Sequence, residues 1–152
     1  MAPTFALQNV LNIRHDRVEL LEVQLGRLVK LQLEAQSFLQ ALLNAKAALV
    51  DKLSAAQSGE MDLFEINMLR INLLNADSQI ELVQRELARL TEEVNAKRSL
   101  VIKAKQEEET LQILKRKGIE VFNAEQNRIE TKNQDDIYIA QAFRQRGQEA
   151  NL

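Results

Sequence analysis

The chain has 152 residues, a formal net charge of −2, one Pro, four Gly, no Cys, no Trp and 4% aromatic residues. That length allows one domain, and the missing cysteines exclude disulfide and zinc-thiolate chemistry. The balanced charge argues against nucleic acid as a partner, which calls for a basic excess, and a globular core of this size would use more large aromatics.

Met1-Ala2-Pro3-Thr4-Phe5 lacks the charged and apolar segments of a secretory signal. No apolar run reaches about 18 residues, so no direct membrane span is expected. The expected product is a soluble cytoplasmic protein.

The first predicted helix covers about 5–56. Pro3 suits its first turn, and Gly26 weakens its interior by about 1 kcal/mol relative to Ala. Apolar residues recur at threes and fours: Val18, Leu21, Leu25, Leu28, Ala35, Leu39, Leu42, Leu49, Leu53 and Ala56. Leu7 and Leu11 extend the row toward the N-terminus. An average spacing of 3.5 marks a coiled-coil seam. Arg14, Gln32 and Lys46 are polar seam positions. Such residues set register at a cost in stability, or lead their long stems out to water.

A turn is predicted at about 57–61, with Gly59 free to take a positive φ. Asp62 and Glu65 then resemble a capping box that restarts the helix. The second predicted helix covers about 62–143, with a frayed tail at 144–152. Its seam reads Ile66, Leu69, Leu73, Ala76, Ile80, Val83, Leu87, Leu90, Val94, Lys97, Val101, Ala104, Glu108 and Leu111.

Folding the chain at Gly59 makes the numbers of facing residues total about 118 to 119, so that Leu49 meets Leu69 and Leu28 meets Leu90. The predicted fold is all-α: two long helices in an antiparallel coiled-coil hairpin, the second helix longer. From about Leu114 the second helix has no partner in the first. Yet Ile119, Val121, Phe122, Ile129, Ile137, Ile139 and Phe143 continue an apolar pattern over about 45 Å of helix. An unpaired helix of that kind is marginal unless covered.

Leu31, Phe38, Leu43, Val50, Leu63, Phe64, Met68, Ile71 and Leu74 lie off the seam near the turn. They either widen the buried stripe or form a docking surface. His15 reads as a solvated side chain, and Glu107-Glu108-Glu109 as a solvated acidic face. The basic groups around Lys97, Lys103, Lys105 and Lys115-Arg116-Lys117, with Arg14 and Arg17, suit a negatively charged protein surface. There is no phosphate loop, paired-His spacing or nucleophile motif. No enzyme activity and no cofactor are expected.

Phe5-Ala6-Leu7-Gln8-Asn9-Val10-Leu11-Asn12-Ile13-Arg14 is similar to the F-x-L-x-x-V-L-x-x-R start of the flagellar export protein FliJ family. Leu111 and Leu114-Lys115 fit that family's Leu/Lys segment. Glu130, Lys132 and Asp135-Asp136 resemble its C-terminal E-x-K-x-x-D-E pattern, with Asp136 in place of Glu and Gln134 at a commonly apolar position.

The resemblance implies a stalk-like component of the flagellar type III export apparatus. Its expected location is cytoplasmic, peripheral to the inner face of the cell membrane. Three partners are implied: the hexameric flagellar export ATPase, a membrane export gate protein, and export chaperones. The ATPase contact would use Phe5, Leu7, Leu11, Arg14, Leu111, Leu114, Lys115, Phe122, Ile129, Glu130, Lys132 and Asp135. The gate contact would use Phe38, Leu42, Ala45 and Leu49, with Asn72, Ala76, Gln79 and Val83 on the facing helix. The alternatives are the stalk protein of a virulence type III secretion system and a generic structural coiled-coil scaffold.

Overall fold

The computed structural model describes residues 4–150. Met1–Pro3 and the last two residues lie outside it, and with them the predicted first-turn role of Pro3. Two helices account for the described chain: α1 (Gln8–Gln57, 50 residues) and α2 (Leu63–Ala150, 88 residues). There is no strand among the described residues, and 94% of those residues are helical. The second helix is the longer one, as the sequence predicts.

The backbone groups that helix ends leave unpaired explain where the helices stop and start. At the start of α1, the Gln8 N–H donates to the Phe5 carbonyl at 3.0 Å and the Leu11 N–H to the Leu7 carbonyl at 2.9 Å. Helix therefore begins at Gln8, three residues later than expected.

At the end of α1, the Ser58 N–H and hydroxyl both donate to the Ala55 carbonyl, at 3.3 and 3.1 Å. No described glycine has a positive φ, so the expectation for Gly59 is corrected: a serine, not a left-handed glycine, closes this helix. Asp62 restarts the chain as an N-cap, with the N–H of Phe64 rather than that of Glu65 donating to its side chain. Its carboxylate accepts from the Phe64 N–H at 3.0 Å and its carbonyl from the Ile66 N–H at 3.0 Å, the N-cap arrangement. At the far end α2 runs on through Gly147 to Ala150, where a frayed tail was expected.

The chain divides into two compact units. Unit 2 comprises Arg17–Ala104 and contains the turn. Its two helical segments pack antiparallel along the predicted seam. Buried residues are Val18, Leu21, Ile66, Leu69, Ala76, Ile80, Leu90, Val94, Val101 and Ala104, and each is a seam position read from the 3.5 spacing. Val94 is the most enclosed, at 1% exposure. Leu25 packs against the cluster of Val18, Leu21, Val101 and Ala104. Leu28, Ala35, Leu39, Leu42, Leu49, Leu53 and Ala56 are half-buried in the same row.

No polar residue is buried among the described residues, yet the polar seam positions of unit 2 do not simply lead out to water. The Gln32 amide donates to Thr91 Oγ1 at 3.1 Å, and Thr91 Oγ1 donates on to the Leu87 carbonyl at 2.8 Å. Lys46 pairs with Asp77 at 2.7 Å, and Lys97 donates to Gln24 at 3.1 Å.

These pairs fix the register. Partner numbers total 121 for Gln24–Lys97 and 123 for Gln32–Thr91 and Lys46–Asp77. The predicted total near 118 to 119 is therefore displaced by a few residues. The cause lies in the turn: α1 ends at Gln57 and α2 begins at Leu63, so the bend centres beyond Gly59.

Unit 1 comprises the described residues 4–16 and 105–150. Leu11 is buried at 3% exposure, and Phe5, Arg14, Glu107, Glu108, Leu111, Gln112 and Lys115 are half-buried. After Lys115 every described residue is exposed except Phe122 and Ala142, which are half-buried. An ion pair between residues three apart supports this stretch: Arg128 pairs with Glu125 at 2.7 Å and holds its carboxyl below the usual carboxylate range.

Burial along a single stripe makes a sharp contrast testable. Leu90→Ala removes a side chain that is 3% exposed and should cost about 2–4 kcal/mol. Leu82→Ala, at a position 63% exposed, should stay within about 0.5 kcal/mol. Urea unfolding of the two variants measures both.

Candidate partner-binding surfaces

In unit 1, the segment before α1 lies on α2. Thr4 and Phe5 line an apolar pocket of about 90 Å³ with Lys115, Gly118 and Ile119. One turn into α1, Val10 and Arg14 share an open groove with Glu107, Thr110 and Leu111. The Arg14 guanidinium donates to Glu107 at 2.7 Å. His15 Nδ1 lies 2.7 Å from Glu108 Oε1, and Arg116 donates to Glu109 at 3.0 Å.

Two expectations are corrected here. His15 is half-exposed but tied to α2, and Glu107-Glu108-Glu109 is not a bare solvated face. Its three carboxylates each take a different cationic or imidazole partner, two of them from α1. No cluster of acidic, His or Cys residues able to hold a metal ion occurs among the described residues.

The residues expected at the ATPase contact fall into three sets. Leu11 is buried in the seam, so it supports the surface and is not available on it. Phe5, Arg14, Leu111, Lys115 and Phe122 are half-buried. Leu7, Leu114, Ile129, Glu130, Lys132 and Asp135 are exposed.

On α2, Leu111 and Lys115 lie on the threes-and-fours phase of the seam beside the start of the chain, and Phe122, Ile129 and Lys132 keep that phase farther along the helix. Continuing the phase leads to Ile139 and Phe143, which are 64% and 78% exposed. These two were left out of the predicted contact, although the same heptad count from Ile129 reaches them. Tyr138, at 73%, flanks them.

In unit 2, the residues expected at the gate contact separate by exposure. Ala76 is buried, and Leu42, Leu49 and Val83 are half-buried seam residues. Their apolar surface is occupied within the chain. Phe38, Ala45, Asn72 and Gln79 are exposed.

The off-seam apolar residues are resolved in favour of surface. Leu31 is 48% exposed, Phe38 55% and Val50 46%, so they do not widen the buried stripe. Near the turn the largest apolar exposure belongs to α2. Phe64, Met68, Ile71 and Leu74 are 74%, 44%, 50% and 67% exposed and follow one another at four, three and three residues. That spacing puts them on one side of the helix, distinct from the seam residues Ile66, Leu69 and Leu73. Met61 and Leu63 add to this patch at the turn.

The pattern of the family described as flagellar FliJ protein matches residues 3–147. The chain belongs to the FliJ family. No curated protein and no solved structure matches it. The FliJ match takes in both helices, the turn and the exposed α2 stripe through Phe143, so seam and unpaired helix are both parts of the family pattern. The family connects the chain with the flagellum and with export. No described helix of this FliJ-family chain is long and apolar enough to cross a membrane.

The groove at Arg14 offers a direct measurement. Arg14 and Glu107 retain 39% and 35% side-chain exposure. A double-mutant cycle of Arg14→Ala and Glu107→Ala should therefore give a coupling of about 0.2–1 kcal/mol. That coupling should shrink as salt is raised from 0.05 to 0.5 M.

Proposed function

We propose that this FliJ-family chain is a stalk-like component of the flagellar type III export apparatus, working at the cytoplasmic face of the membrane. The far part of α2 is held by the hexameric export ATPase, the region of the turn docks on the membrane export gate protein, and export chaperones are exchanged along the body. The chain acts by binding and carries no catalysis or cofactor of its own.

The observation that carries this reading is the phase-matched stripe of Phe122, Ile129, Ile139 and Phe143 on α2, continued beyond the part of α2 that faces the start of α1. A helix keeps such a stripe at little cost when a partner covers it. Charged Glu130 and Asp135 beside the stripe suit a polar rim around an apolar centre. At the turn, the exposed residues Phe38 and Ala45 and the row Phe64, Met68, Ile71 fit recognition of one helix face by a groove.

Two measurements test the two ends separately. For the ATPase, Ile129→Asp with Phe143→Asp should weaken binding at least about tenfold, as loss of buried anchors does, while urea stability of the seam stays unchanged. Unaltered binding, or full stimulation of ATP hydrolysis by a chain ending at Leu114, would remove the assignment.

For the gate, Phe38→Ala with Ala45→Asp should reduce capture by the gate protein and swimming motility in a folded chain. Normal motility with those substitutions would reassign the docking face. Turnover by the isolated chain, or sedimentation as a stable dimer that ignores the ATPase, would overturn the functional reading as a whole.

A further inference from the structure

Glu108 occupies a seam position of α2, where the heptad count would ordinarily place an apolar side chain. Its side chain keeps only 17% of its exposure. A carboxylate so enclosed needs compensation by a partner, because burial of an unpaired charge is costly. The partner that unit 1 provides from α1 is His15, 2.7 Å away and 53% exposed.

It is the only histidine of the chain. The charged groups around it are Glu108 and Glu107 on α2, with Lys105 one turn before Glu108, and Arg14, Asp16 and Glu19 on α1. Arg14 and Glu107 hold each other at 2.7 Å. Carboxylates, lysines and arginines as classes change charge outside the interval from about pH 5 to 8, whereas imidazole changes within it.

We propose that His15 and Glu108 form a proton-operated clasp that ties the first turns of α1 to α2 within unit 1. With the imidazole protonated, the contact is a charge-assisted bond to an enclosed carboxylate. With it neutral, Nδ1 at most donates a weaker neutral hydrogen bond. The contact is the stronger one with the imidazole charged, so the clasp is closed at the acid end of the interval in which imidazoles as a class change charge and loosens toward its alkaline end. The neighbouring Arg14–Glu107 pair keeps its charges across the interval and sets the pH-independent part of the attachment. The clasp belongs to the chain alone and needs no partner.

Amide hydrogen exchange on the full chain, corrected for the intrinsic pH dependence of exchange, tests it. Protection of residues 11–16 should fall roughly two- to fivefold between pH 6 and pH 8, the size expected of an ion pair of this exposure. His15→Gln should abolish that dependence and leave the loosened level at both pH values. His15→Lys should keep the closed level at both. Glu108→Gln should flatten the dependence as well. Protection in the wild-type chain that is the same at both pH values would overturn the clasp, as would a dependence that survives in His15→Gln.

Discussion

Two helices in contact can hide only the residues that face each other, and everything else about this chain follows from that limit. The seam takes two positions in seven. Each buried apolar residue lies on it, and Leu31, Phe38, Phe64 and Leu74, all large and apolar, remain in water. A third helix would have covered them; none is present among the described residues. The same limit explains the composition. A stripe of Leu, Val, Ile and Ala fills the narrow space between two helices, and bulky aromatics would force the helices apart. Four of the five phenylalanines accordingly sit off the buried stripe or beyond its paired length: Phe38, Phe64, Phe122 and Phe143.

A seam of similar apolar residues has a weakness: sliding one helix by a heptad again puts apolar on apolar. Packing alone would leave several registers close in free energy. Gln32–Thr91, Lys46–Asp77 and Gln24–Lys97 remove that degeneracy in unit 2, and Arg14–Glu107 does so in unit 1. Each pair is partly exposed and worth at most about 1 kcal/mol. A slip, however, breaks the pairs together and presses Lys46 against apolar neighbours, where desolvation adds to the loss. Polar seam residues lower stability and raise specificity, the exchange seen when a single polar side chain fixes coiled-coil register.

This distinction also marks what could be read from the sequence. The phase of the seam was legible because it is a local property, set by 3.6 residues per turn. Val18, Leu21, Ile66, Leu90, Val94 and Val101 are buried where the spacing puts them. Register was not legible to the same degree, since it depends on where one turn begins and ends. Ser58 and Asp62 decide that through two hydrogen bonds each, and a prominent glycine beside them places the expected bend one step too early.

The candidate contacts show the same division. Leu11 and Ala76 were assigned to partner surfaces although both are seam residues, and a side chain cannot serve two interfaces at once. Whether Leu31 and Phe38 were core or surface turned on how wide the seam is, which no spacing in one helix reveals. His15 and Glu108 stand 93 positions apart, so only the folded chain brings them together.

The unpaired stripe of α2 differs in kind from the paired one. Between Phe122 and Phe143 its heptad positions mix apolar with charged: Glu125, Ile129, Lys132, Asp136, Ile139. A continuous apolar seam exposed over that length would drive self-association. Interrupting it with Glu125, Lys132 and Asp136 keeps the bare helix compatible with water. Arg128 on Glu125 adds a local bond that holds the helix without a neighbour. What remains is a row of isolated anchors at one or two heptads' distance, too sparse for a two-stranded coil and well spaced for a partner with discrete apolar recesses in a polar wall. The same seven-residue count thus gives a closed contact where both helices are present, and an addressable one where α2 goes on alone.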